Sequence, residues 1–316
     1  MPRVLVTGGT GLVGAALHRL KPEWHYVGSK DYNLSCKHNC VRVLKEIAPD
    51  IVIHLAAKVG GLFKNERERL TMYRDNLQIN ENMISACYEY GCKRMICCLS
   101  TCVFPDGLNK VLVEEDLHKG EPHHSNYGYA FTKRMMEVHC RLVNETDGYH
   151  YQCIIPTNIY GPNDNFHLDD SHVIPGLIHR AFQHALINSG NDSENETSFV
   201  IKGDGTPKRQ FIYSLDLARI IVILVTEKIN EPLIICSPDA SQTYTILEVA
   251  KKIARRFGIR DIVTEKKPEN NGQYSKVCSN DLLMSLLPNF EFTPLSVGLN
   301  ETIEWFVNTP REEIRI

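Results

Sequence analysis

The sequence lacks any long hydrophobic run. Its longest uninterrupted aliphatic stretch, residues 220–225, is far shorter than the roughly 20 residues that a membrane-spanning helix needs. Met1 is followed almost at once by the apolar run Val4-Leu5-Val6, without the basic and apolar regions of a secretory signal. We therefore expect neither a membrane partner nor secretion.

An excess of charge is also missing. The 316 residues contain 35 Lys and Arg against 38 Asp and Glu, which gives a formal net charge of -3. This balance provides no broad basic field, so binding to nucleic acid is disfavoured. The hydrophobic content of 43% is high enough for a sizeable core, which argues against disorder.

The eleven cysteines lack the pattern of a disulfide framework. They are scattered and odd in number in a long chain, unlike those of small secreted proteins. We expect free thiols in a reducing cytoplasm, with Cys97 and Cys98 in the core.

Short apolar runs alternate with helical stretches along the chain. Strands are expected at 4–6, 24–28, 51–54, 95–99 and 151–155, and helices at 15–20, 37–47, 65–90, around Tyr129, and at 246–257, 280–287 and 295–306. Ser214 is expected to cap a helix over 214–225, and the polar stretch 188–198 to form a surface loop. The alternation predicts an α/β fold with a doubly wound parallel sheet.

Three glycines follow the first apolar run at regular spacing. Gly8, Gly11 and Gly14 stand between a strand and a helix. In dinucleotide-binding folds such glycines permit a tight turn and a close approach of the backbone to a pyrophosphate, which the helix N-terminus then binds. A structural turn is the alternative, and the strand-loop-helix context favours the cofactor loop. The expected cofactor contacts here are Gly8, Gly9, Thr10, Gly11, Leu12, Val13 and Gly14.

The end of the second strand indicates which dinucleotide binds. NAD-binding folds usually place an acid there, whereas a basic group accommodates the 2′-phosphate of NADP. The strand ends in Gly28-Ser29-Lys30-Asp31. Ser29 and Lys30 suit a phosphate, so NADP(H) is favoured, although Lys30 is equally typical of a solvated surface lysine.

Ser100, Tyr129 and Lys133 form a candidate reductase triad. Tyr129 and Lys133 are four residues apart and so share a helical face. We expect the Lys133 ammonium to lower the pKa of Tyr129 from about 10, so that the phenol can give a proton to a carbonyl oxygen. Ser100, just beyond a strand end, would bond to the same oxygen.

Several segments carry a family resemblance. They are 7–14 (TGGTGLVG), 54–57 (HLAA), 58–61 (KVGG), 100–105 (STCVFP), 156–162 (PTNIYGP), 164–166 (DNF) and 171–175 (SHVIP). Together with the Tyr129 and Lys133 pair, they resemble the extended short-chain dehydrogenase/reductases. Within that family the chain is similar to the GDP-L-fucose synthases, which are NADPH-dependent 3,5-epimerases and 4-reductases of GDP-4-keto-6-deoxy-D-mannose.

The resemblance implies a Rossmann-type dinucleotide-binding domain, formed by residues 1–163 and about 212–236. A smaller, mostly C-terminal α/β domain, formed by residues 164–211 and 237–316, would bind the GDP-sugar. It also implies a homodimer that pairs helices 65–90 and 127–143, and chemistry without a metal.

Residue roles follow from the same resemblance. Cys102 and His172 correspond to an epimerisation acid/base pair, beside the catalytic Ser100, Tyr129 and Lys133. The implied cofactor contacts beyond the glycine loop are Lys30, Leu55, Ala56, Ala57, Tyr129, Lys133, Pro156, Thr157, Asn158, Ile159 and His172. The implied substrate contacts are Asn158, Arg180, Lys202, Arg209 and Asn271. Lys202 stands where the family often has tryptophan, and Asn271 where an acid is common.

Epimerisation beside a ketone needs two groups, because a proton leaves one face and returns to the other. A Cys102 thiolate would remove protons at carbons 3 and 5, and His172 would return them. Such a thiolate needs a nearby cation, which we expect to be protonated His172 or Lys133. The alternative is that Cys102 is a buried structural cysteine without a catalytic role.

Two other functions fit parts of the sequence. One is a relative that only reduces or only epimerises another nucleotide sugar. The other is a non-catalytic NADP-binding regulator on the same fold. Cys102 and His172 favour the dual reaction over the first, and the intact triad disfavours the second.

Overall fold

The computed structural model describes residues 2–188, 198–267 and 270–316. The strands are β1 (Val4–Thr7), β2 (His25–Val27), β3 (Ile51–His54), β4 (Arg94–Cys98), β5 (His150–Pro156), β6 (Asn158–Tyr160), β7 (Phe199–Ile201), β8 (Lys208–Arg209), β9 (Phe211–Tyr213), β10 (Leu233–Cys236), β11 (Tyr244–Thr245), β12 (Ile262–Thr264) and β13 (Ser275–Lys276). The helices are α1 (Leu12–Leu20), α2 (Lys37–Ile47), α3 (Leu62–Arg67), α4 (Arg69–Tyr90), α5 (Tyr127–Asn144), α6 (Val173–Asn188), α7 (Ser214–Thr226), α8 (Ile246–Arg256), α9 (Asp281–Leu286) and α10 (Leu295–Asn308).

A six-stranded parallel sheet organises the fold, in the order β2-β1-β3-β4-β5-β10. Every residue of β1 and β3 is buried, as expected for parallel strands covered on both faces. Helices α1 and α7 pack on one face, and α2, α4 and α5 pack on the other. The predicted α/β class with a doubly wound parallel sheet is confirmed. The chain changes direction across the sheet between β1 and β3, where such folds bind ligands.

His54, the last residue of β3, links this strand to β1 and to α4. Its Nδ1 lies 2.8 Å from Thr7 Oγ1 on β1, and its Nε2 lies 3.3 Å from Asn80 Oδ1 on α4. The ring is fully buried, and burial lowers the pKa of His54 to about 3. The imidazole is therefore neutral and joins two strands to a helix through both nitrogens.

The remaining strands form smaller sheets beside the central one. β6 pairs with β9, β7 with β12, and β8 lies between β11 and β13. Phe166, Leu177 and Phe306 belong to a separate apolar cluster that covers these strands with α6, α8 and α10. None of the helices in the described ranges combines the length and apolar character needed to cross a bilayer.

Two local predictions were wrong. The single helix expected over 65–90 is divided into α3 and α4, because Glu68 leaves helical geometry with φ -114° and ψ 29°. Ser214 does not cap α7 but is its first residue, and Tyr213 takes the cap position without a side-chain bond. Most of the predicted loop 188–198 lies outside the described residues.

Candidate functional site

A cavity of about 730 Å³ opens at the carboxyl ends of the central strands. One wall comes from the glycine loop and from the segments after β3, β4 and β5. The opposite wall comes from α6 and from the small strands β7, β8 and β13. The cavity therefore lies between the parallel sheet and the later elements, where side chains distant in sequence meet.

The glycine loop at the cavity floor is packed too closely to admit side chains at two of its glycines. Gly8 has φ +72°, and a Cβ there would lie 2.8 Å from the Ala56 nitrogen. A Cβ on Gly14 would lie 2.5 Å from the carbonyl oxygens of Gly8 and Gly9. Gly11 begins α1 without a side-chain cap, so the first helical N–H groups remain open to an anion. These features fit a pyrophosphate.

Most of the residues expected to bind the cofactor line this cavity. They are Gly8, Thr10, Gly11, Leu12, Val13, Gly14, Leu55, Ala56, Ala57, Tyr129, Lys133, Pro156, Thr157, Asn158, Ile159 and His172. The Thr157 hydroxyl is buried and has no hydrogen-bond partner within the described ranges, so it is available to a ligand. Gly9 lies behind the loop, where its N–H donates to the Val27 carbonyl at 2.9 Å. Lys30 is exposed, whereas its neighbour Ser29 lines the cavity.

The reductase triad also lines the cavity. Lys133 is only 2% exposed, and its Nζ donates to the Cys98 carbonyl at 2.7 Å. The same Nζ lies 5.7 Å from the centre of the Tyr129 ring. Burial lowers the pKa of Lys133 and raises the pKa of Tyr129 well above its ordinary value. The predicted fall in the pKa of Tyr129 was therefore wrong, because burial dominates at the phenol. Tyr129 keeps its proton and is a hydrogen-bond donor.

Cys102 lies in a short 3-10 helix, Thr101–Val103, directly after the triad serine. Its N–H donates to Ser100 Oγ at 3.4 Å. Burial raises the pKa of the Cys102 thiol, and Lys276, the Ser100 bond and Lys133 lower it, in that order. We expected His172 or Lys133 to be the main cation, but Lys276 on β13 has the larger effect. Burial in turn lowers the pKa of Lys276 to about 8, with Arg209 contributing.

His172 precedes α6 and is exposed at the cavity wall. The carboxyl group of Asp164, in the preceding loop, is only 4% exposed. Its Oδ1 accepts from the Asn165 N–H at 2.7 Å, and Oδ2 has no partner among the residues described. Burial raises the pKa of Asp164, and the charges of His172 and Arg315 oppose that rise. The structure thus brings His172 close enough to Asp164 for its charge to lower the pKa of that carboxyl, and the sequence assigned this acid no role.

The two predicted substrate arginines both reach the cavity. Arg209 is half-buried, and its guanidinium donates to the Lys208 carbonyl at 2.7 Å and to the Gln273 carbonyl. Burial lowers the pKa of Arg209 to about 10, which leaves it charged at neutral pH. Arg180 has a buried Nε that lacks a partner in the described part of the chain. Carbonyl contacts therefore hold the Arg209 guanidinium in place without neutralising its charge. Arg180 retains an N–H donor that a ligand could use.

Lys202, Asn158 and Asn271 line the cavity too. Lys202 Nζ lies 3.4 Å from Asp169 Oδ1 and 4.6 Å from the centre of the Phe63 ring. Asn271 Oδ1 accepts from the Asp204 N–H at 3.0 Å. Asn271 therefore lies beside the turn that follows Lys202, so the two departures from the family pattern are close to each other.

Lys276 and Asp164 were missed for different reasons. Asp164 lies within the DNF segment that carries part of the family resemblance, so the motif itself was a usable signal. Lys276 lies on a two-residue strand without a motif, and only tertiary packing brings it near Cys102.

Residues 4–236 match the NAD dependent epimerase/dehydratase family. A probable GDP-L-fucose synthase of Drosophila melanogaster is 41% identical, covering 97% of this chain and 98% of that protein. A GDP-L-fucose synthase of Dictyostelium discoideum is 38% identical over 96% of this chain and 95% of its own length. The crystal structure of a GDP-L-fucose synthetase from Naegleria fowleri bound to NADP has a TM-score of 0.89 at 36% identity, covering 100% of this chain and 95% of that one. The family resemblance noted in the sequence is confirmed, and the chain belongs to the GDP-L-fucose synthase group of the NAD dependent epimerase/dehydratase family.

Proposed function

We propose that this protein converts GDP-4-keto-6-deoxy-D-mannose to GDP-L-fucose by 3,5-epimerisation and NADPH-dependent 4-reduction. The observation that carries the proposal is that Cys102 and His172 line the same cavity as Ser100, Tyr129 and Lys133. A plain reductase needs only the last three residues. A thiol and an imidazole at the same cavity add the groups required to invert carbons beside a ketone.

The glycine loop and residues 156–159 would hold NADP(H), and the N–H groups at the N-terminus of α1 would bind its pyrophosphate. When bound, NADPH supplies the hydride for carbon 4. Ser29 lines the cavity beside Lys30, and both suit the 2′-phosphate. Lys133, whose Nζ donates to the Cys98 carbonyl and lies 5.7 Å from the centre of the Tyr129 ring, would contact the bound cofactor from the same cavity.

Epimerisation begins at Cys102. Its thiolate takes the proton from carbon 3 or carbon 5, and the electron pair of the broken C–H bond moves to the ketone oxygen as an enolate. Ser100 and the protonated phenol of Tyr129 donate to that oxygen. Protonated His172 then gives a proton to the carbon and becomes neutral. Exchange with solvent restores the thiolate and the imidazolium before the second carbon reacts.

Reduction follows at carbon 4. Tyr129 transfers its proton to the ketone oxygen as the carbon is reduced, and the neighbouring Lys133 ammonium stabilises the phenolate that remains. Because burial raises the pKa of Tyr129, the phenol is protonated at neutral pH and ready for this step.

The cations of the far wall suit the diphosphate. Arg180, Arg209 and Lys276 line the cavity, and guanidinium groups bind phosphate oxygens in pairs. We assign Lys202 and Asn271 to the nucleoside end. In this assignment residues 1–163 and about 212–236 form the cofactor domain, and residues 164–211 and 237–316 form the substrate domain.

We also propose a cytoplasmic homodimer. Helices α4 and α5 lie side by side and expose the apolar side chains of Leu70, Tyr73, Tyr127, Met135 and Leu142. A two-fold axis along this pair would bury them against a second copy. All eleven cysteines are free thiols, which suits a reducing compartment.

One assay tests the central proposal. Purified protein is mixed with NADPH and GDP-4-keto-6-deoxy-D-mannose, cofactor oxidation is followed, and the product sugar is identified by NMR. We expect one equivalent of NADPH to be consumed for each GDP-L-fucose formed. Production of an alcohol with unchanged configuration at carbons 3 and 5 would reduce the protein to a 4-reductase.

A further inference from the structure

Asp170 joins the loop that carries His172 to helix α3. Its Oδ1 lies 2.6 Å from an Arg67 nitrogen, and its Oδ2 lies 3.2 Å from Lys64 Nζ. The Asp170 carbonyl also accepts from the Gly61 N–H at 2.9 Å. One residue therefore makes three polar contacts with the segment at the start of α3.

The two backbones are in close contact at this point. A Cβ on Gly61 would lie 2.1 Å from the Ser171 carbonyl oxygen, so only glycine allows the approach. His172 follows immediately along the chain. On its other side, the loop is braced by His167, whose Nδ1 accepts from the N–H groups of Asp169 and Asp170 at 3.2 Å each.

The Lys64–Asp170 pair is less exposed than an ordinary surface pair, whereas the Arg67 side chain is 54% exposed. The side chains of Asp170 and Lys64 are each 20% exposed, and a single carboxylate faces two cations. Isolated surface pairs contribute little to stability, but a carboxylate shared between two cations in a fixed geometry restricts its loop more strongly. The same helix supplies Leu62 and Phe63 to the cavity wall, so the contact fixes that wall and the loop together.

From these contacts we infer that Asp170, with Lys64 and Arg67, is a positioning residue for His172. We call these three residues the Asp170 clasp. The clasp holds the imidazole at the cavity so that a proton returns to the sugar before carbon 4 is reduced. This inference rests on the proposed function, since it assigns a role within the epimerisation step. Tyr129 and Lys133 lie on α5, outside the clasp, so we expect reduction to be affected less than exchange.

The experiment compares Asp170→Asn with the wild-type protein in two measurements. The first is incorporation of solvent deuterium at carbons 3 and 5 with NADP⁺ present, so that no reduction occurs. The second is the fraction of reduced product that retains an uninverted carbon when NADPH is supplied. We expect deuterium incorporation to fall about tenfold or more, because misplacement by ~1 Å can cost ~100-fold. We expect the uninverted fraction to rise.

Matched variants separate positioning from general damage. Glu66→Gln removes a carboxylate from the same helix but no clasp contact, and should behave as wild type. The double variant Lys64→Met, Arg67→Met should reproduce Asp170→Asn, and Asp170→Glu should restore part of the exchange. If Asp170→Asn misfolds, the double variant decides the question by itself.

The outcomes are distinct. Equal loss of exchange and reduction in Asp170→Asn, or no loss of exchange, overturns the clasp while leaving the proposed function intact. Absence of exchange in the wild-type protein overturns both proposals.

Discussion

The Lys276 ammonium lowers the pKa of the Cys102 thiol, and Cys102 raises the pKa of Lys276 in return. Burial acts against both charges: it raises the pKa of the thiol and lowers the pKa of the ammonium to about 8. The thiol therefore depends on this lysine for its basicity.

Replacing Lys276 with methionine should make Cys102 a weaker acid. Loss of the cation raises the pKa of the thiol, so less thiolate exists at neutral pH. We expect deuterium exchange at pH 7 to fall about tenfold and to recover as the pH rises. Alkylation of Cys102 by iodoacetamide should shift to higher pH in the same way. Lys208→Met, on the exposed neighbouring strand, is the control, and an identical alkylation profile in both variants would contradict the link.

Cys102→Ser and Tyr129→Phe should separate the two reactions. The serine variant should lose exchange at carbons 3 and 5 by ~100-fold or more, because a hydroxyl is a far weaker base, while NADP⁺ still binds. The phenylalanine variant should lose NADPH oxidation more than it loses exchange. Undiminished exchange in Cys102→Ser, or equal losses in Tyr129→Phe, would refute this division of roles.

Asp164→Asn should stabilise the fold and impair epimerisation. The buried carboxylate has one oxygen without a partner in the described chain, and burial raises its pKa. Removing the charge should increase the free energy of unfolding by about 1 kcal/mol at neutral pH. Because a raised pKa costs stability only once the carboxyl is ionised, the gain should shrink as the pH falls. Urea unfolding at several pH values measures it, and a destabilised variant would be the contrary result.

Arg209→Glu should raise the KM for the GDP-sugar. Carbonyl contacts hold the guanidinium at the cavity, where a diphosphate would meet it. Loss of charge-assisted bonds worth ~1.5–3 kcal/mol corresponds to a rise of about tenfold or more. Steady-state kinetics provide the measurement, with Arg260→Glu on the exposed surface as the control. An unchanged KM would remove Arg209 from the binding site.

Leu142→Glu on α5 should convert the proposed dimer to a monomer. The Leu142 side chain is 56% exposed in the single chain, so the monomer tolerates a carboxylate there. In the dimer the same carboxylate would be buried in an apolar interface. Sedimentation equilibrium distinguishes the two masses. Val307→Glu, an exposed apolar position on α10, should leave the mass unchanged. A wild-type monomer would overturn the dimer itself.

The sequence was sufficient where local patterns determine the structure. The apolar runs located β3 and α2 at their observed bounds, and four-residue spacing placed Tyr129 and Lys133 on one helix. The extent of burial and the long-range packing could not be predicted from local sequence patterns. The pKa of Tyr129 depends on how completely the fold removes water from the phenol. The proximity of Lys276 to Cys102 exists only because β13 pairs with β8 beside the cavity.

The neutral imidazole of His54 makes the protein sensitive to acid at a fully buried side chain. An unfolded chain protonates this ring near its ordinary pKa of 6.5, whereas the folded protein does so only near 3. Between these two pH values the imidazole is protonated in the unfolded chain but not in the folded protein. Acidification below about pH 6.5 therefore lowers the free energy of unfolding, even while the native hydrogen bonds of His54 are unchanged.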